Sequence, residues 1–238
     1  MINKTSILNL LKKNQKKHLN CINFLNNCNL ISIAQVNESV LIKGTSDRTW
    51  NYIALDNFND IDEMFKLIND NDKFFFVNGD ATAEYLRGKL NLEVEIKACR
   101  YILDEYKLQD LVYTYLITTM NENDADLVYN NSDYKKHIDK EYVADRISSG
   151  PSCIIKINNE PAGWCLTHDD GSIGMLHVLV EFRKKGIALQ LVKYITEEII
   201  KLNEVPYAHI LEHNFNSIKL FEKAGYKYID NVFWLRRD

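Results

Sequence analysis

The chain is poor in proline and glycine, with three and nine among 238 residues, and 46% of it is hydrophobic. That scarcity excludes a collagen-like, low-complexity or disordered chain and leaves a folded one with a real core. Five cysteines, Cys21, Cys28, Cys99, Cys153 and Cys165, make an odd count, and none stands in a C-x-x-C pair or near histidine at zinc-finger spacing. A disulfide framework and a structural zinc site are therefore not expected, and the thiols read as buried groups in a reducing compartment. No apolar run approaches membrane-spanning length, and the opening Met-Ile-Asn-Lys-Thr-Ser interrupts any signal-peptide apolar region. A cytoplasmic protein without a membrane partner is expected. A net charge of −4 supplies no basic footprint, so nucleic acid is not an expected partner.

What is present is a regular alternation of helical and strand periods. Residues 4–28 place Ile7, Leu8, Leu11, His18, Leu19, Ile22 and Leu25 near one helical stripe. Three apolar stretches from Leu30 to Leu55, separated by Asn37-Glu38 and Gly44-Thr45-Ser46-Asp47, read as antiparallel strands. Two short helices and two strands follow, the last with Leu92, Val94, Ile96 and Ala98 on one face. The second half restarts with a strand over 111–118, a capping stretch at Asn121–Asp124, and a helix over 140–147. A hairpin then joins 153–157 to 163–166 around residues 158–161, and the turn Asp169-Asp170-Gly171 leads into a strand over 173–180. The expected fold is α+β in two domains, residues 1–108 and 109–238, with a boundary inferred from pattern because no linker composition marks it.

Chemistry concentrates after that strand. Arg183-Lys184-Lys185-Gly186-Ile187-Ala188 opens a helix whose stripe is Ile187, Leu191, Val192, Ile195 and Ile199. The exposed N–H groups and positive dipole end of a helix disfavour cations, yet three stand there together. A bound anion neutralises both; a solvated turn that binds nothing is the rival reading. A strand over 207–213 then leads to a second helix, with Asn214 or Asn216 as its cap and Gly225 past its end.

Arg183-x-x-Gly186-x-Ala188 and Asn214-x-x-Ser217-Ile218-x-Leu220-Phe221-Glu222-Lys223-x-Gly225-Tyr226 resemble the two signatures of the GCN5-related N-acetyltransferase (GNAT) superfamily. Residues 112–238, with Gly163-Trp164 and Gly174-Met175-Leu176, look closest to its glycine N-acyltransferase-like branch. The resemblance implies a C-terminal GNAT fold, a mixed, mostly antiparallel sheet splayed at an acetyl-CoA slot with helices on both faces. It also implies an N-terminal domain of degenerate similar fold, acting as scaffold or substrate wall. Acetyl-CoA is the implied cosubstrate, and the acceptor an amine of a small molecule or peptide. Leu176, His177 and Val178 would pair with the pantetheine arm, Val178 serving as backbone oxyanion donor. The turn Arg183, Lys184, Lys185, Gly186, Ile187 and Ala188 would hold the pyrophosphate, and Asn214 and Phe221 would line the slot.

Two positions depart from the pattern. Phe221 stands where many members have a tyrosine that protonates the thiolate, and Ser172 where many have a glutamate base. Ser172 relaying through water and His177 are the candidate catalytic groups; Glu212, His213, Asp169, Asp170 and Cys165 are weaker substitutes, each with an ordinary structural reading. The expected activity is acetyl transfer from acetyl-CoA to a primary amine, an α-amine above all, by direct attack in a ternary complex. A CoA-binding regulatory protein with weakened catalysis is the main rival, and an aminoacyl-tRNA-dependent transferase of related fold the second.

Overall fold

The computed structural model describes residues 3–132, 135 and 138–237. It forms two compact units, Met1–Arg100 with Ile229–Asp238, and Tyr101–Tyr228. The expected boundary at 108/109 put residues 101–108 in the first half and 229–238 in the second; the compact units assign both stretches the other way.

In the first unit the stripe expected as one helix is two, α1 (Lys4–Lys12) and α2 (Gln15–Asn27). The break falls at Asn14 (φ −126°, ψ 58°), a residue type that competes with helical backbone bonding. β1 (Asn29–Val36), β2 (Ser39–Thr45) and β3 (Thr49–Ala54) form the expected antiparallel meander. A short helix α3 (Ile61–Phe65), β4 (Phe74–Asn78), α4 (Asp80–Leu90) and β5 (Leu92–Leu103) follow. β4 runs parallel to β3 and pairs on its other side, antiparallel, with β11 (Tyr226–Arg237), from Phe74↔Arg236 to Asn78↔Val232. Strand alternation sends Phe75 and Val77 to one face, where they meet Met64, Ala83, Leu86 and Leu235. Phe76 goes to the other, into a run of rings, Phe24–Tyr52–Phe76–Trp234, with successive centroids 3.8, 4.5 and 5.1 Å apart.

The second unit contains β6 (Ile117–Thr118), α5 (Ala125–Asn130), α6 (Lys140–Ser149), β7 (Ser152–Ile157), β8 (Glu160–Thr167), β9 (Ile173–Val178), α7 (Ile187–Lys201), β10 (Tyr207–Ile210) and α8 (Phe215–Ala224). The strand order is β10-β9-β8-β7-β6, with β9 and β10 parallel and the pairs from β6 to β9 antiparallel. Ile154, Trp164 and Leu166 pack against Val128, Val143 and Ile147 of α5 and α6. The alternate positions turn to α7, where the Cys153 thiol lies 3.9 Å from the Leu191 carbonyl. Helices thus cover both faces of a mixed sheet.

Three expected strands are shorter in the structure. The strand over 111–118 shrinks to Ile117–Thr118 because its backbone is taken by α7: Thr114 N and Tyr115 N both donate to Gln190 Oε1, at 2.8 and 3.3 Å. The strand over 173–180 ends at Val178 in a 3-10 turn, and the one over 207–213 ends at Ile210. The hairpin turn contracts to Asn158-Asn159, both with positive φ (54° and 66°), so β8 begins at Glu160.

Candidate functional site

β9 is the strand around which the site is built. Its register against β8 runs Thr167↔Ile173 and Leu166↔Gly174, then resumes at Trp164↔His177, so β9 carries one extra residue. Met175, at φ +48°, absorbs it as a bulge. On its other side β9 pairs with β10 at Ile173↔Ala208, and the two strands share no further registered pair among the described residues. Leu176, His177 and Val178 therefore lie beyond the point where the strands part. Leu179 N donates to Ala162 O of β8 (3.0 Å), so backbone alternation turns the Val178 N–H and C=O to the opposite edge.

The basic turn follows at once. Arg183, Lys184 and Lys185 are all exposed, and Arg183 Nε donates to the Val178 carbonyl at 2.9 Å. Lys184 and Gly186 both adopt positive φ (61° and 78°), which turns successive N–H groups toward one concave side. The first turn of α7 receives no side-chain cap, and a Cβ built on Gly186 meets nothing within 4 Å. Exposed cations, an uncapped helix of 15 residues and an open approach at glycine fit a phosphate group.

The other expected residues are placed as follows. Asn214 caps α8, its side-chain oxygen accepting from Ser217 N (3.2 Å), and it is exposed. Phe221 is buried, its ring edge-on to Tyr226 at 5.0 Å, which makes it a core residue of α8. His177 stacks on Trp164 (centroids 5.0 Å apart, 15° between planes) on the face covered by α5 and α6. Glu212 and His213 are exposed past the end of β10. Cys165 is fully buried and burial pushes its thiol far up, so it is no nucleophile at neutral pH.

Ser172 is where structure adds most to sequence. Its side chain is buried, and its hydroxyl and backbone N–H donate to Asp170 Oδ1 at 2.7 and 3.0 Å. Asp170, read from sequence as a turn residue, is itself buried, with Oδ2 3.7 Å from His209 Nδ1 of β10. The Tyr207 hydroxyl donates to the Asp170 carbonyl. On the near side His168 N donates to Ser172 O (2.8 Å), and the His168 ring lies so close over Gly174 that a Cβ there would sit 2.1 Å from its Nε2. Tyr142 of α6 places its hydroxyl 3.1 Å from both His168 Nδ1 and Asp169 Oδ1. Burial alone would raise the Asp170 carboxyl, but the charges of His209 and His168 and the bonds from Ser172 outweigh it and hold its pKa below the ordinary value. His168 and His209 were missed because nothing in their local sequence marks them. The signal lay in β10 running beside β9, which brings His209 to Asp170.

Among the described residues no helix is long and apolar enough to cross a membrane. No group of three or more His, Cys, Asp or Glu side chains among them is placed to hold a metal ion. Residues 155–235 match the FR47-like protein family model. No curated protein matches the chain. Solved structures do: a Drosophila melanogaster protein is 17% identical with a TM-score of 0.77, over 100% of this chain and 97% of that one. A GCN5-related N-acetyltransferase-like protein from Streptococcus suis is 12% identical, with a TM-score of 0.57 over 99% of this chain and 100% of that one. A tandem GNAT protein from the clavulanic acid biosynthesis pathway is 12% identical, with a TM-score of 0.57 over 97% and 94%. The chain thus has the GNAT fold in a two-domain layout, and the FR47-like segment is the stretch that carries β9, the basic turn, α7 and α8.

Proposed function

We propose that this chain is an acetyl-CoA-dependent N-acetyltransferase whose acceptor is an α-amine of an amino acid, another small molecule or a chain N-terminus, attacking directly in a ternary complex. The observation that carries this reading is the exposed Arg183–Gly186 turn feeding an uncapped α7, beside a strand that has just parted from its neighbour. Residues 183–188 would hold the pyrophosphate, the β9 backbone from Leu176 to Val178 the pantetheine, and Asn214 its far side. Acetyl-CoA supplies an activated acyl thioester. The Val178 N–H, on the edge away from β8, would donate to the charge that develops on the attacked carbonyl oxygen. The second unit, Tyr101–Tyr228, carries all these groups, and the first unit would act as scaffold or substrate wall.

The acceptor preference follows from protonation. Only a neutral amine attacks a thioester, and at pH 7 an α-amine is about 10% neutral against roughly 0.04% for a lysine-type amine. That difference is about 250-fold, or about 3 kcal/mol, and no exposed carboxylate stands at the Ser172 position to offset it. An acetyl-transfer assay over a panel of amines at pH 7 and pH 9 tests this. α-Amines should be acetylated fastest at pH 7, with lysine-type amines gaining at pH 9; polyamines or lysine side chains outrunning every α-amine at pH 7 would refute the preference. The burial of Phe221 and the engagement of the Ser172 hydroxyl favour one second reading, a CoA-binding regulatory protein. Tight acetyl-CoA binding without transfer to any amine would select it.

A further inference from the structure

We propose that Asp170 and His209 form the proton-accepting pair of this site, in place of a single carboxylate base, with Ser172 holding the pair in position. The inference rests on the transferase reading above. Its first support is location. Ile173↔Ala208 is the registered pair of β9 with β10, so His209 and Gly174 stand at the level where the strands separate. Leu176 is two residues further along β9, about 7 Å at roughly 3.3 Å per residue, so an amine seated between them comes within reach of the ring directly or through a water.

The second support is the construction of the cluster. A buried carboxylate is costly unless it is hydrogen-bonded and paired with charge, and here Oδ1 accepts from the Ser172 hydroxyl and N–H while Oδ2 lies at ion-pair distance, 3.7 Å, from His209 Nδ1. The groups facing the pair come from three directions: Tyr207 from β10, Tyr142 from α6, and His168, Asp169 and Ser172 from the turn that joins β8 to β9. Asp170 stays ionised in this setting, and an anion 3.7 Å from Nδ1 stabilises the imidazolium. In the step itself the amine nitrogen forms the C–N bond and the C–S bond breaks, its electron pair leaving with the sulfur. The proton lost from nitrogen passes to the His209 ring, whose new charge Asp170 balances. The ring takes the proton as the C–N bond forms and does not supply the neutral amine beforehand, so the α-amine preference stands.

The test is the pH profile of kcat and kcat/KM for the full chain with acetyl-CoA and an α-amine, beside acetyl-CoA affinity by calorimetry. His209→Gln should lower kcat at pH 7 by about 100-fold or more, abolish the acidic limb of the kcat profile while the free amine's own titration remains in kcat/KM, and leave acetyl-CoA affinity within about threefold. Asp170→Asn should shift that limb to lower pH; should that buried variant fail to fold, His209→Gln decides alone. Partial recovery of the His209→Gln rate by added imidazole supports the pair. A His209→Gln enzyme with the wild-type limb and rate overturns it while leaving the transferase reading intact. Wild-type protein that binds no acetyl-CoA overturns both.

Discussion

At the residue scale, two glycines do opposite things. Gly174 makes room for the His168 ring, whereas Gly186 faces open space at φ +78°. Gly186→Glu thus meets no packing obstacle, but it strains the backbone and sets a carboxylate where phosphate oxygens would lie. The expected outcome is a folded variant by circular dichroism whose acetyl-CoA affinity, measured by calorimetry, falls by about 100-fold or more. Unchanged affinity would return the turn to the solvated reading. The turn was legible in sequence because its chemistry is contiguous: three cations, a glycine and a helical stripe within one short stretch. The Asp170–His209 pair was not, because its members lie far apart in the chain, one in the turn before β9 and one on β10, and each looks ordinary alone. Ser172 shows the limit from the other side, since its position suggested a relay through water and its hydroxyl is committed to Asp170.

At the element scale, α8 ends as its sequence demands. Gly225 is left-handed (φ +99°), and its carbonyl accepts from Asp104 N and Glu105 N at 3.1 and 3.2 Å. A Cβ at Gly225 would lie 1.6 Å from the Glu105 carbonyl oxygen, so this glycine is required twice, by conformation and by space. Gly225→Ala should lower stability by more than about 2 kcal/mol, read from the urea midpoint, while Gly186→Glu changes it much less. Equal midpoints for Gly225→Ala and wild type would contradict this packing. The elements easiest to read were those whose period and caps agree, the β1–β3 meander, α7 and α8. Residues 111–116 failed that test because their apolar content mimics a strand. What fixes them is Gln190 and Glu197 of α7, with Tyr113 OH donating to Glu197 Oε2 at 2.5 Å, and no local pattern announces a helix as backbone partner.

At the scale of the whole molecule, the first unit contains a junction that parallels the basic turn and differs in charge. β4 leads through Gly79 (φ +83°) into α4, but its first turn carries Asp80, which accepts from Asn231 Nδ2 at 2.9 Å and lies 3.6 Å from Lys97. A carboxylate held there repels a phosphate. Titration of the full chain should therefore give one equivalent of acetyl-CoA; a second equivalent would show that the first unit binds it too. The two-domain layout was legible from pattern, whereas the return of the chain to its first unit was not, since β11 reads like any closing strand and its pairing with β4, from Phe74↔Arg236 to Asn78↔Val232, shows which unit it completes.

That return has a consequence for how the protein is made. A ribosome delivers β4 well before β11, and the second unit, Tyr101–Tyr228, lies between them. At roughly 5–20 residues per second the free edge of β4 waits on the order of ten seconds for its partner. The unit synthesised first is the last to close, and the edge that includes Phe75 and Val77 is exposed to other chains for that whole interval.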